Sequence, residues 1–106
     1  MEGTIVVEIK KGHQKFYIGD SEESPIAEIT FKQKDEQTII ADHTYVSDEL
    51  RGQGVAGKLL KELIAYAREE DVKIVPVCSY VQKKMEHTKE YHDLIAEENN
   101  SLNNYY

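Results

Sequence analysis

A glycine-rich segment at residues 51–60 has the residue types and spacing that most clearly predict chemistry in this chain. It reads Arg-Gly-Gln-Gly-Val-Ala-Gly-Lys-Leu-Leu and leads directly into a stretch with helical periodicity. Such a turn can hold an anion, because several backbone N–H groups point the same way and the helix dipole adds positive potential. The segment therefore predicts a phosphate site, and three phosphate-binding patterns fit it.

Two of these patterns lack a group that their chemistry requires. Gly52, Gly54 and Gly57 fit the dinucleotide fingerprint, but several residues separate the preceding strand from the first glycine, and the expected acidic residue precedes the next strand instead of ending it. Gly52, Gly57 and Lys58 fit the P-loop, but Leu59 stands where Ser or Thr would hold Mg²⁺. We interpret both matches as accidental.

The third pattern runs from Arg51 through Gly54 to Ala56, as Arg-x-x-Gly-x-Ala. It resembles the acetyl-CoA pyrophosphate loop of the GNAT acetyltransferase superfamily, Gln/Arg-x-x-Gly-x-Gly/Ala. That loop needs only backbone N–H groups and small residues, with no metal. The flanks agree, since a strand at 39–46 precedes the loop and an amphipathic helix and an apolar strand at 73–80 follow it. On the motif alone, an ordinary glycine-rich turn remains the alternative.

The resemblance implies acetyl-CoA as cosubstrate, no metal, and transfer of the acetyl group to an unknown amine, either small or on a protein. It implies that acetyl-CoA contacts the end of the preceding strand and the loop. The residues predicted to make these contacts are Tyr45, Val46, Arg51, Gly52, Gln53, Gly54, Val55, Ala56, Gly57 and Lys58.

The rest of the chain predicts an α+β fold. Residues 4–10, 14–19, 26–33 and 37–46 have strand-like composition and short polar turns between them, which predicts a four-strand antiparallel meander. Apolar residues at helical spacing follow from Val55, and then an apolar strand at 72–80 that contains Pro76. A strand, a helix and a strand predict a parallel fifth strand. A C-terminal helix should begin at Val81 and break near Thr88, within a domain of residues 1–98, and residues 99–106 should form a frayed tail.

This element order resembles the GNAT fold over residues 4–97, with one departure. Typical members place two helices between the first and second strands, and these helices build much of the wall for the acceptor. Here only residues 11–13 bridge the gap, so the chain resembles a minimal subfamily of small GNAT-like proteins, which residues 42–46 and 75–81 also match. That resemblance implies acetyl-CoA binding, with Cys78 and His43 in the site.

A physical argument also favours Cys78 and His43 as a catalytic pair. Each lies three residues before the predicted end of its strand, at Val81 and Val46, and neighbouring parallel strands lie about 4.8 Å apart. If both side chains share a face, the imidazole would favour a thiolate that attacks the thioester. A buried structural cysteine and a solvent-facing strand histidine remain the alternatives. Tyr91 is a further candidate, as proton donor to the departing CoA thiolate, although a core role is the alternative.

Composition bounds the remaining classes of function. The chain has 106 residues, one cysteine and a net charge of −7, which predicts one domain in a reducing cytoplasm and argues against nucleic acid as a partner. It has no apolar run of membrane-spanning length and no secretory signal pattern, so we expect no membrane partner. We expect a monomer or weak dimer. The main alternative to an acetyltransferase is a non-catalytic acyl-CoA-binding or sensing module.

Overall fold

The computed structural model describes residues 8–96, which form a five-stranded mixed sheet and two α-helices. The elements are β1 (Lys10–Gly12), β2 (Lys15–Ile18), β3 (Ala27–Asp35), β4 (Thr38–Val46), a 3-10 helix (Asp48–Leu50), α1 (Val55–Glu70), β5 (Lys73–Pro76), α2 (Ser79–His87) and a second 3-10 helix (Lys89–Leu94). The strands are ordered as in the chain, antiparallel from β1 to β4, with β5 parallel to β4. The predicted α+β architecture is confirmed.

One face of the sheet carries the core. Ala27, Ile29 and Phe31 alternate along β3 and are buried towards α1, whose apolar stripe they meet. The ring of Tyr66 on α1 lies 5.1 Å from that of Phe31, centroid to centroid. The two buried residues of α2, Val81 and Met85, belong to the same core. Both helices therefore lie on this face of the sheet.

A β-bulge interrupts β4 at Asp42. Thr30 of β3 pairs with His43 and Phe31 pairs with Ala41, so Asp42 has no partner opposite it. Because an extra residue reverses the alternation, Ala41 and Thr44 both face the helices, while His43 faces the other side. The bulge therefore sets which face each side chain of the second half of β4 occupies.

The junction between β5 and α2 differs from the predicted strand at 72–80. β5 ends at Pro76, and the N–H groups of Val77 and Cys78 both donate to the carbonyl of Ala41, at 3.0 and 2.9 Å. Since Pro76 has no N–H to continue the ladder, the chain leaves β4 here and α2 begins at Ser79, two residues before the predicted start. β5 therefore ends four residues before the predicted end of the strand at residue 80.

The predicted break after the C-terminal helix is confirmed at Thr88, which separates α2 from the second 3-10 helix. The Thr88 side chain makes no capping hydrogen bond, and its carbonyl instead accepts from the N–H of Tyr91. Arg68 of α1 binds Asp93 at 2.9 Å and holds the pKa of that carboxyl below its usual range. This ion pair joins α1 to the second 3-10 helix, which includes Tyr91.

The first hairpin also turns later than predicted. β1 continues to Gly12, and the turn falls at His13 and Gln14, with Gln14 in the left-handed region (φ 60°). The predicted tail at 99–106 and most of the predicted first strand lie outside the described residues. Within residues 8–96, no helix is both long and apolar enough to cross a membrane.

Candidate functional site

The loop before α1 depends on two glycines. Gly52 and Gly54 have φ values of 82° and 72°, a region that side chains with a Cβ rarely adopt. A Cβ at either position would meet no heavy atom within 4 Å, so the space in front of the loop is open. Glycine is therefore needed for the backbone turn, and the turn faces unoccupied space.

The N–H groups of residues 53–57 have no hydrogen-bond acceptor in the described chain. They belong to the loop and the first turn of a 16-residue helix, where such groups lack intrahelical partners. The N–H of Lys58 differs, because it donates to the carbonyl of Gly54 at 3.1 Å. Of the loop residues predicted to contact acetyl-CoA, Lys58 therefore has no free backbone N–H for a phosphate.

The loop lines a surface pocket of about 270 Å³, which brings together seven of the predicted contact residues. Its lining is Val46, Leu50, Arg51, Gly52, Gly54, Val55, Ala56, Gly57 and Tyr80. Arg51 already has partners here, because its Nε donates to the Val46 carbonyl at 3.3 Å and its guanidinium lies 3.4 Å from Asp48. Gln53 is not part of this lining, and its side-chain amide donates to the carbonyl of Glu49.

Two further pockets, of about 270 and 320 Å³, continue along α1 and α2. They share residues with each other and with the loop pocket, and we call the three together the loop–helix groove. The lining of these two pockets is Gly54, Gly57, Lys58, Leu60, Lys61, Tyr80, Lys83, Lys84, His87, Thr88 and Tyr91. Four of these residues are lysines and none is a carboxylate, on a chain whose net charge is −7. The local positive field suits phosphate groups.

Tyr80 lies at the centre of the groove, and sequence reasoning did not select it. Its hydroxyl is 3.7 Å from the position that a Cβ on Gly57 would occupy, and the residue lines the pockets on both sides. Burial, and then the neighbouring Tyr91 and Cys78, raise the pKa of the Tyr80 phenol. The hydroxyl therefore stays protonated over the physiological range and can donate a proton. The sequence predicts a strand through residue 80, whereas the structure places Tyr80 on the first turn of α2.

Cys78 and His43 are not brought together. Cys78 is the residue before α2, is half-buried, and has its Sγ 3.4 Å from Oγ1 of Thr44 on the helix side of the sheet. His43 faces the other side, where its Nε2 lies 3.9 Å from Oε2 of Glu28. The prediction that the two side chains lie side by side was wrong for two reasons. β5 ends at Pro76, before Cys78, and the bulge at Asp42 turns His43 to the face of the sheet opposite Cys78.

The two remaining predicted site residues lie in different places. Tyr91 lines the groove, in the pocket that also includes Lys58, Lys61 and Lys84. Tyr45 is 41% exposed on the face of the sheet opposite the groove, beside Glu28, and is not part of the groove lining. In the described part of the chain, no three His, Cys, Asp or Glu side chains form a group that could hold a metal ion.

Comparisons with known proteins agree with this geometry. A family model described as GCN5-related N-acetyl-transferase matches residues 15–94. An NMR solution structure of a GCN5-like protein from Staphylococcus aureus, described as a candidate N-acetyltransferase, is 48% identical with a TM-score of 0.73 and covers 85% of this chain and 88% of that one. Its likeness supports the GNAT-like sheet.

Two further similarities are more limited. Protein NATD1 of Xenopus tropicalis is 40% identical over 47 residues, which are 44% of this chain and 43% of that protein, so the chain matches less than half of this curated relative. A crystal structure of a GNAT family acetyltransferase from Elizabethkingia anophelis with acetyl-CoA bound is 22% identical with a TM-score of 0.49, covering 58% of this chain and 40% of that one. This last likeness is too low to support an argument.

Proposed function

The chain belongs to the GCN5-related N-acetyltransferase family, and we propose that it binds acetyl-CoA and transfers the acetyl group to an amine. The observation that carries the proposal is the loop–helix groove, whose lining combines residues 54–57, which have unpaired N–H groups, with four lysines. We further propose that it acts in the cytoplasm, which its single cysteine favours, as a monomer or weak dimer.

In this proposal the amides of the loop bind the pyrophosphate, as at other helix N-termini. Lys58, Lys61 and Lys84 line the adjoining pocket and would meet the remaining phosphate. The ladder between β4 and β5 ends at Ala41 and Pro76, whereas β4 continues to Val46. The second half of β4 therefore has a strand partner on one side only, and its free edge suits the extended, amide-containing arm of acetyl-CoA.

The proposed chemistry is direct transfer. The neutral amine nitrogen attacks the thioester carbonyl carbon, the C–S bond breaks, and the departing CoA thiolate takes up a proton. The nitrogen releases one proton to water, and the proton donor is reprotonated from water. We assign the proton donor to Tyr80, because burial raises the pKa of its phenol and because it lines the loop pocket. Tyr91 is the second candidate, but it lines the lysine-rich pocket instead.

A covalent route through Cys78 is a second candidate mechanism. It is supported by the Thr44 hydroxyl, whose oxygen lies 3.4 Å from the sulfur, and by the position of Cys78 directly before α2. His43 has no contact with this thiol in the described structure, so this route does not use His43 as the partner of Cys78. Mass spectrometry of the protein with acetyl-CoA, native and denatured, tests the route, because only a covalent acetyl group survives denaturation.

A non-catalytic acyl-CoA-binding module is the alternative function. It is favoured by the short β1–β2 hairpin, which leaves no room for two helices between these strands. Tight binding of acetyl-CoA without acetyl transfer to a panel of primary amines would support the module over the enzyme.

Calorimetry tests the binding proposal itself. Acetyl-CoA should bind at least about tenfold more tightly than S-acetylpantetheine, which lacks the phosphates, and the difference should shrink as salt screens the lysines. Lys61→Ala and Lys84→Ala should each weaken acetyl-CoA binding, while Lys32→Ala, an exposed lysine on the other face, should not. Equal affinity for the two ligands would refute the assignment of the groove.

A further inference from the structure

The second 3-10 helix, Lys89–Leu94, contributes one wall of the lysine-rich pocket in the loop–helix groove. Its Tyr91 is half-buried and lines this pocket of about 270 Å³ together with lysines of α1 and α2. Of the six residues of the 3-10 helix, only Leu94 is buried. A segment that buries so little apolar surface depends on polar contacts for its position.

Several of these polar contacts come from one arginine of α1. The guanidinium of Arg68 donates to the Asp93 carboxylate at 2.9 and 3.4 Å and to the Glu90 carbonyl at 2.8 Å. The Lys73 ammonium adds a hydrogen bond to the Asp93 carbonyl at 2.6 Å. We call these contacts the Arg68 clamp. Because Glu90 and Asp93 lie on either side of Tyr91 in the chain, the clamp fixes the backbone that carries the Tyr91 ring.

The clamp lies outside the groove that it supports. Neither Arg68 nor Asp93 lines any of the three pockets of the loop–helix groove. Their side chains are 45% and 62% exposed, and exposed ion pairs contribute little to the free energy of unfolding. The consequence of the clamp is therefore positional, because it fixes the place of Tyr91 beside α1.

The lysine-rich pocket combines an aromatic ring with cationic side chains. Tyr91 lines it beside Lys58, Lys61 and Lys84. Aromatic rings stack on nucleobases, and lysines bind the phosphates that accompany them. The pocket shares residues 54 and 57 with the loop pocket, so a nucleotide attached to a pyrophosphate on the loop can extend into it.

We propose that Tyr91 is the stacking surface for the adenine base of acetyl-CoA, and that Arg68 and Asp93 are positioning residues that hold the ring in place. The inference rests on the proposed function for its ligand and goes beyond it by assigning the base and the clamp. It gives Tyr91 a binding role in place of the predicted role as proton donor. The site then selects acetyl donors that carry adenosine over donors that end at 4′-phosphopantetheine.

The test is calorimetry of the full chain with acetyl-CoA and with S-acetyl-4′-phosphopantetheine, which keeps the thioester and one phosphate but has no base. Wild type should bind acetyl-CoA more tightly. Tyr91→Leu should weaken acetyl-CoA binding at least about fivefold through lost stacking, whereas Tyr91→Phe should retain it. Neither variant should change the affinity for S-acetyl-4′-phosphopantetheine.

The clamp is tested by Asp93→Ala, with Glu90→Ala as its matched control. Each variant removes one carboxylate from the same 3-10 helix, so the change of charge alone would strengthen the binding of an anionic ligand in both. Asp93→Ala should instead weaken acetyl-CoA binding about two- to fivefold. Glu90→Ala keeps the backbone carbonyl that binds Arg68 and should not weaken it. Asp93→Asn keeps an oxygen acceptor for Arg68 and should lose less affinity than Asp93→Ala.

Equal losses for the two ligands in Tyr91→Leu, or unchanged acetyl-CoA affinity in the folded variant, would overturn the proposal. Circular dichroism checks the fold, and if Tyr91→Leu does not fold, the comparison of Asp93→Ala with Glu90→Ala decides, because both side chains are exposed. If wild type does not bind acetyl-CoA, the proposed function fails together with this inference. If wild type binds acetyl-CoA and its preference over S-acetyl-4′-phosphopantetheine survives in Tyr91→Leu, only this inference fails.

Discussion

The glycine loop and the β5–α2 junction form the two walls of the loop–helix groove, and different interactions hold them. The loop is fixed by the backbone conformation of Gly52 and Gly54 and has empty space before it. The junction is fixed by tertiary contacts, because Val77 and Cys78 donate to the Ala41 carbonyl of β4 and Met85 of α2 is buried in the core.

This difference implies that the two walls respond differently to mutation. A change in the loop can alter ligand binding while the core stays intact, because a side chain at Gly52 or Gly54 would begin in open space. A change in the junction should alter stability as well, because its position depends on the packing of α2. The following variants test that separation.

Met85→Ala should have the largest effect, on the free energy of unfolding. Met85 is 0% exposed, and truncating a buried Met typically costs about 2–5 kcal/mol through lost burial and a cavity. Urea denaturation measures this change, and Gln82→Ala, exposed on the same helix, is the control. If both variants unfold at the same urea concentration, α2 is not held by its core contacts.

Tyr80→Phe should lower acetyl transfer by about 100-fold if its phenol protonates the CoA thiolate. The affinity for acetyl-CoA should change little, because the ring remains. Because the pKa of the phenol is raised, wild-type activity should persist at alkaline pH until the phenol ionises. Steady-state rates with a responsive amine provide the measurement, and Tyr91→Phe is the matched comparison. Unchanged turnover in Tyr80→Phe would exclude this residue as the acid.

Gly54→Val should weaken acetyl-CoA binding well over tenfold, because the side chain would fill the space that the pyrophosphate needs. Calorimetry measures the affinity, and circular dichroism checks that the variant is folded. Gly54→Asn separates two causes, since Asn tolerates the left-handed backbone better than Val. Both variants should lose affinity, whereas only Val should lose stability. Wild-type affinity in folded Gly54→Val would refute the loop assignment.

Alkylation of Cys78 by iodoacetamide should show the smallest effects. His43→Ala should change the rate less than about twofold, because His43 lies on the other face. Thr44→Val should slow it a few-fold if the hydroxyl donates to the thiolate, at about 0.5–1.5 kcal/mol for one hydrogen bond. Bound acetyl-CoA should protect the thiol. A large effect of His43→Ala on the alkylation rate would support the predicted catalytic pair of Cys78 and His43.

Much of the fold followed from local patterns. The alternation in β3, the apolar stripe of α1 and the break at Thr88 are encoded within a few residues each, and all three were predicted. The end of β5 was not, because residues 72–80 have strand-like composition throughout. What ends the strand is Pro76 together with the Ala41 carbonyl, and the second of these is a contact from another strand.

The residues of the candidate site likewise divide into those that local sequence places and those that depend on contacts with other parts of the chain. The glycine loop could be located from the sequence because its conformation depends on neighbouring residues, and seven of the residues predicted to contact acetyl-CoA line one pocket. His43 was misplaced because the bulge at Asp42 depends on pairing with β3, which a single strand does not reveal. Tyr80 was missed for a related reason, since its place depends on where α2 begins.

The carbonyl of Ala41, which accepts two N–H groups, has a thermodynamic consequence. Because both N–H groups bind this carbonyl, β4 and β5 are already separated beyond Ala41 in the free protein, so an incoming ligand breaks no ladder hydrogen bond to enter the gap. Binding would then lose little backbone entropy at this point, which is the advantage of a preorganised site. The hydrogen bonds of the sheet itself keep the two strands apart, so the free-energy cost of their separation is already included in the stability of the fold.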